Sequence, residues 1–295
     1  VIVIPEHLAQ DVRYIELRTH RRIRSMRAGT RASAVRGDGF DFEQHRRYRP
    51  GDDVRRIDWN ATARAGSPFV REARAERDLE MVLAADLTRS MAFGAEGGRS
   101  KHEALVLATA SLLFAALGDR ISSGVLGFTD RVLDWTAPVA DSEAAWTALR
   151  RVWDIEAAGR RTLLRPVIQH LLETLRRTAL IVLVSDFDSD EDLAALPELA
   201  ILAARHDVVA IILEDPQETR LPAGSGFVRL RDVESGTDVM VPLTRQTRAL
   251  HHAAVQQRKT HLRNAFYRSG VDHVIVNTQG DVVEPILGLF NGRRL

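Results

Sequence analysis

The sequence predicts an α/β protein: a mostly parallel, doubly wound sheet with helices on both faces, a β-hairpin insertion and an Arg-rich segment in front. Three observations predict it. From Asp78 onward, apolar runs of strand length alternate with stretches of helical periodicity. The run Leu180-Ile181-Val182-Leu183-Val184 is apolar without alternation, as a strand covered on both faces requires. The chain has 295 residues, 45% of them apolar and 27% charged, which is enough for a packed core and excludes a low-complexity or disordered chain.

Residues 1–77 do not join the alternation. A helix is expected over 7–26, then a linker over 29–39, then irregular or extended chain. Arg49-Pro50-Gly51-Asp52 places Pro and Gly at the two central positions of a type II turn. A boundary near Asp78 gives an Arg-rich segment, 1–77, and a sheet domain, 78–295. In that domain a strand is expected over 79–85 and a helix over 101–118, capped by Ser100, with Leu105, Ala108, Leu112 and Ala116 at helical spacing. Strands follow at 122–128 and 132–135, helices at 142–153 and 163–177, and a strand at 180–185. A helix over 191–205 carries an apolar stripe of Leu193, Leu196 and Ala200, and a strand over 208–213 follows it. After Pro216 the rhythm breaks: strands 227–233 and 238–241 around Glu234-Ser235-Gly236 read as a hairpin inserted near 227–243. A helix over 244–269, a strand over 271–276 and a helix over 283–290 complete the domain.

Composition trims the function classes. The absence of cysteine excludes a disulfide framework, a zinc finger, an iron–sulfur site and a thiol nucleophile. The longest apolar run, 104–117, is shorter than the roughly 20 residues of a bilayer span, so no membrane span is expected. No Gly-x-Gly-x-x-Gly follows a strand, and His-Glu-x-x-His and Gly-x-Ser-x-Gly are absent. The formal charge of +1 conceals an asymmetry: 17 Arg against 11 acidic residues in 1–77, and 24 basic against 29 acidic residues in the remainder. Between Arg13 and Arg31, seven Arg meet only Glu16, a pattern that suits phosphates, an acidic protein surface or a solvated helix face. Only Tyr14 interleaves closely among them, which leaves base stacking unsupported and makes nucleic-acid binding the alternative reading. Lysine occurs only at 101 and 259.

One constellation carries chemistry. The first sheet strand runs into Asp86-Leu87-Thr88-Arg89-Ser90, and a later one ends Val184-Ser185-Asp186, with Thr162 opening the helix before it. Ligands of open α/β sheets sit at this carboxyl rim. Two carboxylates and three hydroxyls make an all-oxygen set suited to a hard ion such as Mg²⁺, whereas softer metals call for His or Cys. The other reading of the same residues is structural, since Asp, Ser and Thr after strands also serve as turn and cap residues. A metal-dependent phosphoryl-transfer enzyme is a further alternative, for which no nucleophile or general base stands near Asp86.

Asp86-x-Thr88-x-Ser90 resembles the Asp-x-Ser-x-Ser motif of von Willebrand factor A domains. Tyr48-Arg49-Pro50-Gly51-Asp52-Asp53-Val54-Arg55-Arg56-Ile57-Asp58-Trp59, with Gly39-Phe40-Asp41-Phe42 upstream, resembles the signature of the bacterial family called domain of unknown function 58. The resemblance implies a von Willebrand factor A-like, Rossmann-like domain with a metal-ion-dependent adhesion site at Asp86, Thr88, Ser90, Thr162 and Asp186. It implies Mg²⁺, or Mn²⁺ or Ca²⁺, as the ion, a cytoplasmic and non-enzymatic interaction module, and a MoxR-type AAA+ ATPase or its client as partner. Thr88 stands where Ser is usual and keeps the hydroxyl. Around Thr162 the usual Gly-x-Thr-Asp reads Gly159-Arg160-Arg161-Thr162-Leu163. The Pro-Gly-Asp-Asp turn and Asp58-Trp59 are expected to be structural, with a buried indole.

Overall fold

The computed structural model describes residues 5, 8–12, 41–49, 54, 57–74, 79–94, 97–155, 159, 161–189, 191–231 and 237–293. Two compact units divide the chain: Arg31–Asp78, and Val1–Thr30 together with Leu79–Leu295. This division splits the expected segment 1–77, because Leu8 and Val12, on the helical stretch 8–12, are buried in the core of the larger unit. The Arg13–Arg31 stretch and the Pro50-Gly51-Asp52-Asp53 turn lie outside the described residues.

In the smaller unit, β1 (Asp41–Arg47) pairs antiparallel with β2 (Phe69–Arg74), and α1 (Trp59–Ala65) lies between them in the chain. Asp58 is buried and caps α1, accepting from Asn60 N at 2.9 Å and Ala61 N at 3.0 Å. Gly66, at φ 66°, closes the helix in the left-handed conformation that glycine adopts without strain. Trp59 is 70% exposed, so the expected buried indole is not found.

The larger unit is built on β3 (Glu80–Asp86), β4 (Ser122–Phe128), β5 (Val132–Val139), β6 (Ala179–Ser185) and β7 (Asp207–Glu214). The hairpin β8 (Phe227–Arg231) and β9 (Asp238–Pro242) and the strand β10 (Asp272–Asn277) follow. Six of these form one sheet in the order β10-β7-β6-β3-β4-β5, parallel except for β5, which pairs antiparallel with β4 at the edge. The helices are α2 (Lys101–Gly118), α3 (Ser142–Asp154), α4 (Leu164–Thr174), α5 (Pro197–Arg205), α6 (Pro216–Thr219), α7 (Arg245–Ser269) and α8 (Val283–Gly292). The side chains of β3 alternate between two cores. Met81, Leu83 and Ala85 join α2, α3 and α8 on one face, whereas Val82 and Ala84 join α4, α5 and α7 on the other. The sheet is therefore doubly wound, as the apolar runs require.

By length and composition α2 could cross a bilayer, although its apolar run is short. It is buried along almost all of its length, and a helix packed on every side in a core is apolar all round. Its Ser100 cap accepts from Glu103 N at 3.1 Å while Glu103 returns to Ser100 N at 2.8 Å, a complete capping box. The helix expected over 191–205 is broken into a 3₁₀ turn, Leu193–Ala195, and α5. Pro197 has no N–H to donate and takes the first position of α5, where that donor is not needed. Leu193, Leu196 and Leu199 all reach the core in spite of the break.

Candidate functional site

The strand order places a reversal between β3 and β6. From β3 the chain proceeds to β4 and β5 on one side, and from β6 to β7 and β10 on the other. Loops at the carboxyl ends of two such strands diverge and leave a crevice. Asp86 is the last residue of β3 and Ser185 the last of β6, with Ala85 paired to Val184 just below.

Asp86 is fully buried and accepts four hydrogen bonds. Oδ1 takes Thr88 N at 2.9 Å and Thr88 Oγ1 at 2.7 Å; Oδ2 takes Thr162 Oγ1 at 3.1 Å and Ser185 Oγ at 2.5 Å. All four donors are neutral. Thr88 Oγ1 also lies 3.0 Å from Ser90 Oγ and 3.2 Å from Thr162 Oγ1. Each hydroxyl has one proton. With those of Thr88 and Thr162 given to Asp86, Ser90 is the donor to Thr88, and the two threonine oxygens turn lone pairs toward each other. Burial first, then the charge of Asp186, push the Asp86 carboxyl up to about 6, against the hydrogen bonds from Ser185 and Thr88 that favour the ionised form.

The loop carrying Thr162 is pinned to this cluster by backbone. Thr88 bridges Gly159, Arg89 N donates to Gly159 O at 3.1 Å, and Leu163 N donates to Thr129 O at 3.1 Å. Ser189 Oγ donates to Thr162 O at 2.5 Å. A Cβ at residue 159 would fall 2.3 Å from Thr129 Cβ, so only glycine permits this approach. The departure from Gly-x-Thr-Asp thus leaves the threonine at the rim.

Asp86, Thr88, Ser90 and Thr162, four of the five expected residues, share one hydrogen-bonded cluster. The fifth, Asp186, follows Ser185 and interacts by charge with Asp86, but its carboxylate is taken by another group. Lys101 Nζ donates to Asp186 Oδ2 at 2.8 Å and lies 2.6 Å from Glu218 Oε1 on α6. The lysine side chain is 2% exposed and that of Asp186 4%. Burial opposes the ammonium charge, but Asp186 and Glu218 outweigh it and raise the pKa of Lys101. Burial pushes the Glu218 carboxyl up, with Lys101 pulling the other way.

Ser185, Lys101 and Glu218 are the functional candidates that sequence reasoning missed. Ser185 sat in view beside Asp186. Lys101 had one signal: it is one of two lysines in a chain whose other basic side chains are Arg. Glu218 had none.

Among the described residues no group of three or more His, Asp or Glu side chains is placed to hold a metal ion. Any ion here would therefore depend on hydroxyl oxygens. The candidate ligands are all oxygen; Thr88 and Thr162 direct their protons at Asp86 and Ser90 directs its proton at Thr88, which leaves lone pairs for a hard cation, and the residues fit one.

The amino-acid sequence matches the family described as Protein of unknown function DUF58 over residues 44–261. The chain belongs to the DUF58 family. This DUF58 chain is 33% identical over 231 residues to uncharacterized proteins of Mycobacterium tuberculosis and Mycobacterium bovis, covering 78% of the chain and 72% of each relative. Among solved structures it is similar to the conserved hypothetical protein BatB from Bacteroides thetaiotaomicron, with a TM-score of 0.47, 15% identity, and coverage of 73% of this chain and 98% of that one. It is also similar to a von Willebrand factor type A structure from Catenulispora acidiphila, with a TM-score of 0.43, 10% identity, and coverage of 75% and 43%.

Proposed function

We propose that this DUF58 protein is a non-catalytic interaction module. Its rim cluster would hold a hard divalent cation, Mg²⁺ with Mn²⁺ or Ca²⁺ as alternatives, and so dock an acidic group of a protein partner. The observation that carries the reading is the proton arrangement around Asp86: three hydroxyls donate to one buried carboxylate, and the lone pairs of Thr88, Ser90 and Thr162 are left for a cation. Charge counting supports it. Asp86, Asp186 and the partly exposed Glu218 set three carboxylates against one ammonium, a surplus of two negative charges that a divalent ion would balance.

Asp86 would orient the hydroxyls, and Thr88, Ser90 and Thr162 would supply neutral ligands. A bound ion supplies an open coordination position to which a carboxylate can bind. Arg89 and Arg161, exposed and next in the chain to ligand residues, suit an acidic partner. The sequence resemblance points to a MoxR-type AAA+ ATPase, or a client delivered to it, as that partner.

Calorimetric titration tests the reading. Wild type is expected to take up one equivalent of Mn²⁺ or Mg²⁺, and Asp86→Ala none, with its melting transition retained. Unchanged affinity in Asp86→Ala would sink the metal site. In a pull-down with the ATPase, chelator should release the complex; a complex that survives chelation but is lost on deleting residues 1–31 would assign the interface to the basic arm.

A further inference from the structure

Lys101 occupies a position where a cation is disfavoured by its own element. It is the first residue of α2, at the positive end of the helix dipole, and its ammonium is almost wholly removed from water. Two carboxylates hold it there at 2.8 and 2.6 Å, and the Phe93 ring centroid lies 5.8 Å from Nζ. The second carboxylate is more than the geometry of one ion pair requires. Glu218 comes from α6, beyond β7, whereas Asp186 comes from the β6 rim beside Asp86. The ammonium is thus a bridge between a carboxylate at the candidate site and one outside it. Asp86, by contrast, has only neutral donors.

We propose that Lys101 is a tethered counter-ion that competes with the divalent cation for Asp186, with Glu218 as the seat to which its ammonium retreats when Asp186 turns to the ion. The proposal rests on the metal reading above and adds to it the residues that set affinity. The lysine stem has four rotatable carbon–carbon bonds and a compact head. A small rotation exchanges an Asp186–Lys101–Glu218 bridge for a Lys101–Glu218 pair, so neither charge is left alone in the interior. The rarity of lysine in this chain fits the geometry, because the planar fork of an Arg could not pivot between two single carboxylate oxygens in the same space. The ion is then held loosely by design, since part of what it gains at Asp186 is lost at Lys101.

Two substitutions with opposite expected signs test this, read as Mn²⁺ affinity by calorimetry and as the melting-temperature shift on adding Mn²⁺. Lys101→Met removes the competitor and should tighten Mn²⁺ binding by about tenfold or more, because affinity for hard cations rises with available ligand charge. Its melting temperature without metal should fall, and Mn²⁺ should restore more of it than in wild type. Glu218→Gln keeps the shape of the retreat seat without its charge, holds Lys101 on Asp186, and should weaken Mn²⁺ binding by a similar factor. Should Lys101→Met fail to fold, Glu218→Gln alone decides. A wild type that binds no Mn²⁺ beside a Lys101→Met variant that does would also support the proposal. If wild type binds Mn²⁺, Asp86→Ala abolishes it and both substitutions leave affinity unchanged, the counter-ion role is overturned while the metal site stands. If neither wild type nor Lys101→Met binds Mn²⁺ at millimolar concentration, the metal reading itself falls and takes the proposal with it.

Discussion

Asp86 carries a stability cost that depends on pH. Its folded pKa is raised from 3.8 to about 6, so the folded state holds its proton more tightly than the unfolded chain does. The stability this contributes is complete below about pH 3.8 and is lost as pH rises through about 6. A shift of that size corresponds to about 3 kcal/mol of cost for the ionised form at neutral pH. In chelator, Asp86→Asn should therefore be more stable than wild type at pH 7.5, and the advantage should shrink as pH falls toward 4, as read by urea denaturation across that range. An advantage that did not depend on pH would mean that the carboxylate is not the strained group. Asp58 and Trp59 make a contrasting pair. Asp58→Ala removes a cap with two hydrogen bonds and should cost the smaller unit about 1 kcal/mol. Trp59→Ala, at an exposed position, should stay within about 0.5 kcal/mol of wild type, and the same denaturation experiment separates the two. Asp86, Thr88 and Ser90 were legible in the sequence because they are neighbours in the chain and end a strand. Ser185, Lys101 and Glu218 were not, since their roles arise from contacts between strands and helices that linear spacing does not record.

The loop that brings Thr162 to the rim depends on one residue without a side chain. Gly159→Ala must displace Thr129 or the loop, because the new Cβ would sit well inside contact distance of the Thr129 side chain. The displacement moves the Gly159 carbonyl away from Arg89 N and with it the Thr162 hydroxyl from Asp86. The expected outcome is loss of melting temperature together with weaker Mn²⁺ uptake. Unaltered uptake would show that Thr162 is dispensable. The periodicity of apolar residues located nearly every element, and its failures have physical causes. The stripe expected at Leu193, Leu196 and Ala200 breaks at Pro197: Leu193 and Leu196 are buried, Ala200 is exposed, and Leu199 takes its place because α5 restarts the helical phase after the break. The strand expected over 132–135 runs on to Val139, where half-exposed residues at an edge no longer give the apolar signal of a central strand. Neither error touches the rim, which depends on where strands end.

At the scale of the whole molecule, the alternation of strand and helix gave the sheet its class before its order was known. Order is a matter of which strands pair, and the reversal between β3 and β6 that creates the crevice leaves no mark in either strand. The fate of residues 1–30 was hidden for a similar reason. Leu8 and Val12 stand just before the Arg13–Arg31 stretch, and only the packed core shows that they belong with the sheet domain.

The same strand order also has a consequence in time. The contact of β4 with β5 closes a short loop, and that of β3 with β4 a loop less than half as long as the 99-residue loop closed by the bond from Ser185 to Asp86. Closing that loop costs more entropy, and long-range pairings of this kind tend to come late in folding. The rim would then be assembled near the end of the reaction, after the barrier has been crossed, so a ligand that recognises the completed rim has nothing to hold in the transition state. Mn²⁺ should leave the refolding rate of this DUF58 chain unchanged in stopped-flow experiments while slowing its unfolding. An acceleration of refolding would place β3 and β6 together in the nucleus. If the rim takes the proposed cation, its late closure makes that ion a brake on unfolding, which keeps the assembled protein in place for longer without helping it to form.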